Sequence, residues 1–155
     1  MARVIHLKAS GGNWTDYAKK RRNGFFLVYA REFLQAALKT GSPLVRAYLL
    51  GHSLELVLKT YLLTTGYGEK EIRKLGHNLS RILAASKSAG VEKLVRISPE
   101  MEKDLAEFST VYASEGLRYF SILFLLAPPR LPDLRRLFRL ARTLDQQVTN
   151  HVRAA

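Results

Sequence analysis

Between Pro43 and Thr64 the chain reads PLVRAYLLGHSLELVLKTYLLT, and no other segment limits the possible folds so tightly. Leu44, Tyr48, Leu50, Leu54, Leu56, Val57, Leu58, Tyr61, Leu62 and Leu63 recur too densely for one amphipathic stripe, and at the helical repeat they cover almost every side. A helix apolar nearly all round is stable in water only when other helices surround it. Pro43 suits a first turn, where a missing N–H has no helical partner to lose, and Gly66 and Gly68 supply the turn beyond. The expectation is a central, buried helix over 43–64.

The flanking sequence supplies what surrounds it. A helix is expected from Thr15 or Asp16 to Lys39, ended by Gly41, Ser42 and Pro43, with Phe25, Phe26, Tyr29, Phe33, Ala36 and Ala37 as its core half. Residues 1–14 are expected as an extended arm. A short helical piece around Glu69 to Lys74 leads to Gly76. Asn78 then caps a helix carrying Leu79, Ile82, Leu83 and Ala89, and Gly90 closes it. Ser98 and Pro99 start another, in which Glu100, Glu102 and Asp104 complement the positive end of the helix dipole and Met101, Leu105, Phe108 and Tyr112 face inward. From Glu115 to Pro132 glycine and three prolines interrupt any helix, so a long loop or short hairpin is expected. The last helix is expected from Pro132 to Val152, with Leu134, Leu137, Phe138, Ala141, Leu144 and Val148 inward and Arg135, Arg139 and Arg142 outward. The fold class that follows is all-α: an antiparallel up-and-down bundle of about five helices in one domain spanning 1–155, with an irregular insertion before the last helix.

With no cysteine among the 155 residues, the bundle is held neither by disulfides nor by thiolate-bound metal. The four histidines, His6, His52, His77 and His151, show no pair spaced for one helix face, so no metal site and no cofactor is expected. Gly66-Tyr67-Gly68 lacks the context of a phosphate-cradling loop. The apolar run ending at Ala127 is stopped by Pro128 and Pro129, short of a membrane span, and the N-terminus holds no apolar run of signal-peptide length. A cytoplasmic protein without membrane contact is the expectation.

The formal charge is +12. It is unevenly spread: residues 99–117 carry five acidic and one basic side chain, and every other stretch is basic. Such a surplus concentrates polyanions around the protein and makes RNA or a nucleotide the natural partner class, the other reading being a solvated basic surface.

Four segments in order, FFLVYAREFLQAAL, YLLGHSLELVLKTYLL, LGHNLSRIL and LRYF, resemble the HEPN superfamily across about Phe25 to Leu144. The LELVLK and GHNL segments carry most of the resemblance. It implies a helical bundle that commonly pairs into a homodimer. The roles it implies run from a metal-independent ribonuclease toxin of a toxin–antitoxin pair, through RNA or nucleotide binding, to a structural companion of a nucleotidyltransferase or a partner of an antitoxin. Catalytic members of the superfamily carry an arginine, four to six residues and a histidine: the histidine moves the 2′-hydroxyl proton and the arginine stabilises charge on the phosphate. That spacing occurs once here, Arg46-AYLLG-His52, on the central helix rather than in the C-terminal half. Six residues turn the two side chains roughly 120° apart, so they converge only if a second copy supplies one of them.

His52, Glu55 and Lys59 share one side of the central helix through offsets of three and four. They read either as an anion site, with Lys59 on phosphate, or as a structural ion pair beside a satisfied histidine. His77 in GHNL braces a turn or contacts ligand. Arg118 and Tyr119 in LRYF are candidates to line a groove against the central helix. The expected function is binding of an anionic ligand without catalysis, with Arg46 and His52 as the catalytic pair in the ribonuclease alternative.

Overall fold

The computed structural model describes residues 14–114, 117, 127 and 130–154, residues 14–17 by backbone alone. Its described residues form a bundle of six α-helices: α1 (Trp14–Lys39), α2 (Pro43–Thr64), α3 (Glu69–Leu75), α4 (Leu79–Ser88), α5 (Pro99–Ala113) and α6 (Arg135–Ala154), with a 3₁₀ turn over Val91–Lys93. The expected loop or hairpin over 115–132, with Arg118 and Tyr119 in it, lies largely outside the described residues, as does the arm before Trp14. No strand occurs among the described residues.

The helix α2 is the pillar. It packs against α1, α3, α4, α5 and α6, and Leu50, Leu54, Leu58 and Leu62 are fully buried along it. Ser42 Oγ accepts the Val45 N–H at 3.4 Å and Pro43 fills the first turn, so the start of α2 is fixed locally by its own sequence. The same device opens α4, where Asn78 Oδ1 accepts from Arg81 N at 3.0 Å, and α5, where Ser98 Oγ accepts from Met101 N at 3.3 Å. Gly90, at φ 91°, takes the left-handed conformation that turns the chain after α4. Next to it Tyr61 Oη donates to the Ala89 carbonyl at 2.8 Å, which ties that turn to α2.

Two expected boundaries and one expected face need correction. The helix α1 begins at Trp14, inside the expected arm, and α6 begins at Arg135 rather than Pro132. There Asp133 accepts from the Arg135 N–H at 3.0 Å and the Leu134 carbonyl takes the first helical bond, from Phe138 N at 2.9 Å, which sets the start. On α1 the buried row is Asn23, Leu27, Ala30, Leu34 and Ala37; Phe25, Tyr29 and Ala36 are exposed and Phe26 and Phe33 only half-buried. The helix is apolar on two sides over 25–30, so periodicity alone does not say which side turns inward. The leucine and alanine row wins because α1 lies close along α2, where alanine leaves room for the approach. The α6 core face holds at Leu137, Ala141, Leu144 and Val148, with Leu140 added, whereas Leu134 and Phe138, also expected inward, are only partly buried.

Ion pairs between helices clamp the outside: Arg31 on α1 grips Asp145 on α6 through bonds of 2.9 and 3.2 Å, and Arg136 on α6 grips Asp104 on α5 at 2.5 and 3.0 Å. Asp104, expected to serve the helix dipole, is buried and serves this clamp as well. No helix among the described residues is long and apolar enough to cross a membrane.

Candidate functional site

Two arrangements of polar side chains stand out, one inside the bundle and one on its surface.

The inner one is centred on Glu55, a residue only 4% exposed. Three donors converge on it. Lys59 Nζ, one turn along α2, reaches Oε1 at 2.7 Å; His77 Nδ1, from the turn before α4, lies 2.9 and 3.0 Å from the two oxygens; Tyr112 Oη, from α5, donates to Oε2 at 2.7 Å. Lys59 also donates to the Gly76 carbonyl at 2.6 Å, so the ammonium closes the α3–α4 turn onto α2. Burial pushes the Glu55 carboxyl up, but the hydrogen bonds from Lys59, His77 and Tyr112 and the adjacent Lys59 charge outweigh it and hold the group below the ordinary carboxylate range. The carboxylate is therefore ionised and fully engaged.

The chain of hydrogen bonds continues outward. His52 Nδ1 lies 3.0 Å from Tyr112 Oη. Tyr112 has one hydroxyl hydrogen and gives it to Glu55, so its oxygen is the acceptor and His52 carries a proton on Nδ1. In the neutral ring the lone pair is then on Nε2. Phe33 meets the imidazole edge-on at a centroid distance of 4.6 Å and Tyr48 stacks on it at 5.6 Å, fixing its plane. Tyr112 comes this close to α2 because residue 51 is glycine: a Cβ there would sit 2.3 and 2.4 Å from two carbons of the tyrosine ring.

Of the residues singled out in the sequence, His52, Glu55, Lys59 and His77 thus form one network. Arg46 is not part of it: its guanidinium donates to the Thr40 carbonyl at 2.7 Å, at the α1–α2 turn. Arg118 and Tyr119 lie outside the described residues. Tyr112 was legible only as a core aromatic of α5. A buried tyrosine needs a partner for its hydroxyl, and that is the signal that could have drawn it into the network.

The surface arrangement is a groove of about 710 Å³ between the α1–α2 turn and the start of α6. Leu38, Pro43, Leu131, Pro132, Leu134 and Phe138 form its apolar lining, and Arg46, Arg135, Arg139 and Arg142 its cationic one. Asp133 also borders it, but hydrogen bonds from Arg135 hold that carboxyl at about 2, so this pair is internally neutral. Arg46, Arg139 and Arg142 meet no carboxylate among the described residues. Buried Arg46 Nε has no hydrogen-bond partner there. Sequence reading placed Arg139 and Arg142 on the outer face of the last helix and Arg46 on the second, with nothing to join them.

Comparison with protein-family models, with curated proteins and with solved structures finds no match to this chain. The functional reading rests on these two arrangements.

Proposed function

We propose that this chain is a binding module for phosphate-bearing anions, RNA or a nucleotide, and that the ligand lies in the groove walled by Arg46, Arg139 and Arg142. The observation that carries the reading is that three arginines from two helices converge on one concave surface, and none of them pairs with a carboxylate among the described residues. Arginine presents a planar fork of donors suited to phosphate. The apolar lining beside it, Phe138 included, offers a surface on which a base can rest while the phosphate meets the guanidinium groups. The net charge of +12 adds long-range attraction. The Glu55 network suits this role less well, since Lys59 is already engaged by Glu55 and Gly76. Its natural part is to hold the bundle rigid.

Titrating fluorescent single-stranded RNA and ATP at several salt concentrations tests this. Each phosphate neutralised contributes about 0.7 to the slope of log K against log salt for a single strand. Arg139→Gln with Arg142→Gln is expected to reduce the RNA slope by about 1 to 1.5 on that basis, with affinity falling roughly tenfold or more at low salt. The exposed pair Lys70 and Lys74 on α3, changed to glutamine, removes the same formal charge away from the groove. Equal losses in the two double variants would reduce the groove to part of a diffuse basic surface.

A second reading, metal-independent RNA cleavage, is favoured by one feature: the Glu55–Tyr112–His52 chain orients an imidazole with its lone pair on Nε2, as a general base requires. Cleavage of RNA in EDTA that disappears on His52→Ala is the expected signature of that reading. Intact RNA after long incubation with the wild type would remove it.

A further inference from the structure

The free cations of the groove are few, close together and bounded at both ends. Arg135, Arg139 and Arg142 share one side of α6 through offsets of four and three. At the first of them the row ends in a neutral pair, because the Asp133 carboxylate accepts from Arg135 Nε at 2.8 and 3.1 Å. Beyond Arg142 the same side continues with Gln146 and Thr149, which carry no charge. Arg139 and Arg142 remain, about 4.5 Å apart along the helix axis, with Arg46 of α2 on the same groove. None of the three meets a carboxylate among the described residues. Arg46 is tied at one nitrogen to the Thr40 carbonyl at 2.7 Å, while its buried Nε has no hydrogen-bond partner.

We propose that the groove recognises a terminal phosphomonoester, the phosphate end of a nucleotide or of an RNA strand, in preference to the phosphodiesters along a strand. The inference rests on the reading of the groove as a phosphate site and narrows it. Phosphodiesters carry one charge each at intervals along the backbone, and a site that tracks them needs a row of cations of matching length. Here the row stops within one helical turn. A phosphomonoester instead brings about two negative charges and three acceptor oxygens to a single point at neutral pH, which suits three guanidinium groups gathered at one place. An unpartnered buried donor is costly, and one of those oxygens supplies an acceptor on the Arg46 side. Asp133 works in the same direction. Hydrogen bonds from Arg135 hold its carboxyl at about 2, so it stays charged and opposes a second phosphate in line with the first. Leu134 and Phe138 in the lining leave an apolar rest for the base of the end nucleoside.

The test compares short oligouridylates of one length ending in a 5′-phosphate, in a 3′-phosphate or in hydroxyls only, with UMP beside them, titrated against the full chain at fixed salt. At least one phosphate-ended strand is expected to bind roughly tenfold or more tighter than the hydroxyl-ended one, the worth of one added charge-assisted hydrogen bond. UMP as tight as that strand assigns the end to a free nucleotide, and UMP weaker than it assigns the end to RNA; either supports the proposal. The advantage should fade as pH falls through about 6, where a phosphomonoester takes up its second proton. The ionisable groups lining the groove are Arg46, Arg135, Arg139, Arg142 and Asp133, and none of these titrates there. Arg139→Gln, an exposed change, and Arg46→Gln should each remove most of the preference. Asp133→Asn keeps an acceptor for the start of α6 but releases Arg135, so the hydroxyl-ended strand should gain affinity and the preference should narrow. Equal binding of all strands by the wild type, with all of them weakened by Arg139→Gln and Arg142→Gln together, overturns the inference and leaves the groove as a phosphate site. A preference that persists in Arg139→Gln and Arg46→Gln alike, or that Asp133→Asn leaves as it was, overturns it too. If no strand and no nucleotide binds at all, the phosphate reading of the groove falls and the inference with it.

Discussion

Replacing Glu55 with alanine is expected to lower the free energy of unfolding by about 3–5 kcal/mol, the range for removing one partner of a buried ion pair. The loss is large because three donors lose their shared acceptor together. Lys59, with a side chain only 14% exposed, retains only the Gly76 carbonyl as partner. Tyr112 Oη loses its carboxylate acceptor at the centre of the bundle, and the His77 turn loses its tie to α2. Urea denaturation followed by circular dichroism measures the effect; a change below about 1 kcal/mol, the usual worth of an exposed pair, would mean that water replaces the carboxylate and that the network is not a brace.

The same carboxylate sets a pH dependence with a definite sign. Its folded-state pKa lies below the ordinary value, because hydrogen bonds from Lys59, His77 and Tyr112 outweigh the desolvation that pushes it up. The stabilisation is complete above the unfolded carboxylate value of about 4.3 and is lost as pH falls through the lower folded value. In Glu55→Ala this part of the acid sensitivity should be missing, so wild type and variant should converge in stability under acid conditions.

Gly51→Ala is the second large effect, and helix propensity alone gives it the wrong sign. In an exposed helix interior the change would stabilise by roughly 0.5–1 kcal/mol. Here the new Cβ would meet two ring carbons of Tyr112 at 2.3 and 2.4 Å. That ring is fully buried and its hydroxyl is fixed between Glu55 and His52, so it cannot swing aside. Overpacking of this kind costs about 1–3 kcal/mol and is expected to win. The His52 ring should shift with Tyr112, visible as a change in its imidazole NMR resonances. Combining Gly51→Ala with Tyr112→Leu should be much less than additive, since the smaller side chain removes the clash. Full additivity would show that glycine 51 is not there for the tyrosine.

How far the sequence could be read differs from element to element. The limits of α2 were legible because they are written in local chemistry: a serine cap and proline at one end, and glycines beyond the other. The same holds for Asn78 before α4 and Ser98 before α5. The inward face of α1 was not legible. Phe25 and Tyr29 carry more apolar surface than Leu27 and Ala30, yet the smaller residues are buried, because the spacing between α1 and α2 sets which side chains fit and a single helix does not contain that spacing.

The site divides along the same line. His52, Glu55 and Lys59 had to share a side of α2, since offsets of three and four follow from the helical repeat. Tyr112 joins them from a residue 57 positions from Glu55, and His77 from one 22 positions away. Arg46 meets Arg139 and Arg142 across a still longer stretch of chain. By itself, the sequence determined that the chain is helical, that α2 is its core and where most helices start, because helix capping and side-chain periodicity act over a few residues. Only the tertiary structure decided which face of α1 is inside, which residues complete the Glu55 network and where Arg46, Arg139 and Arg142 gather, because these depend on the packing distance and rotation between helices far apart in the chain.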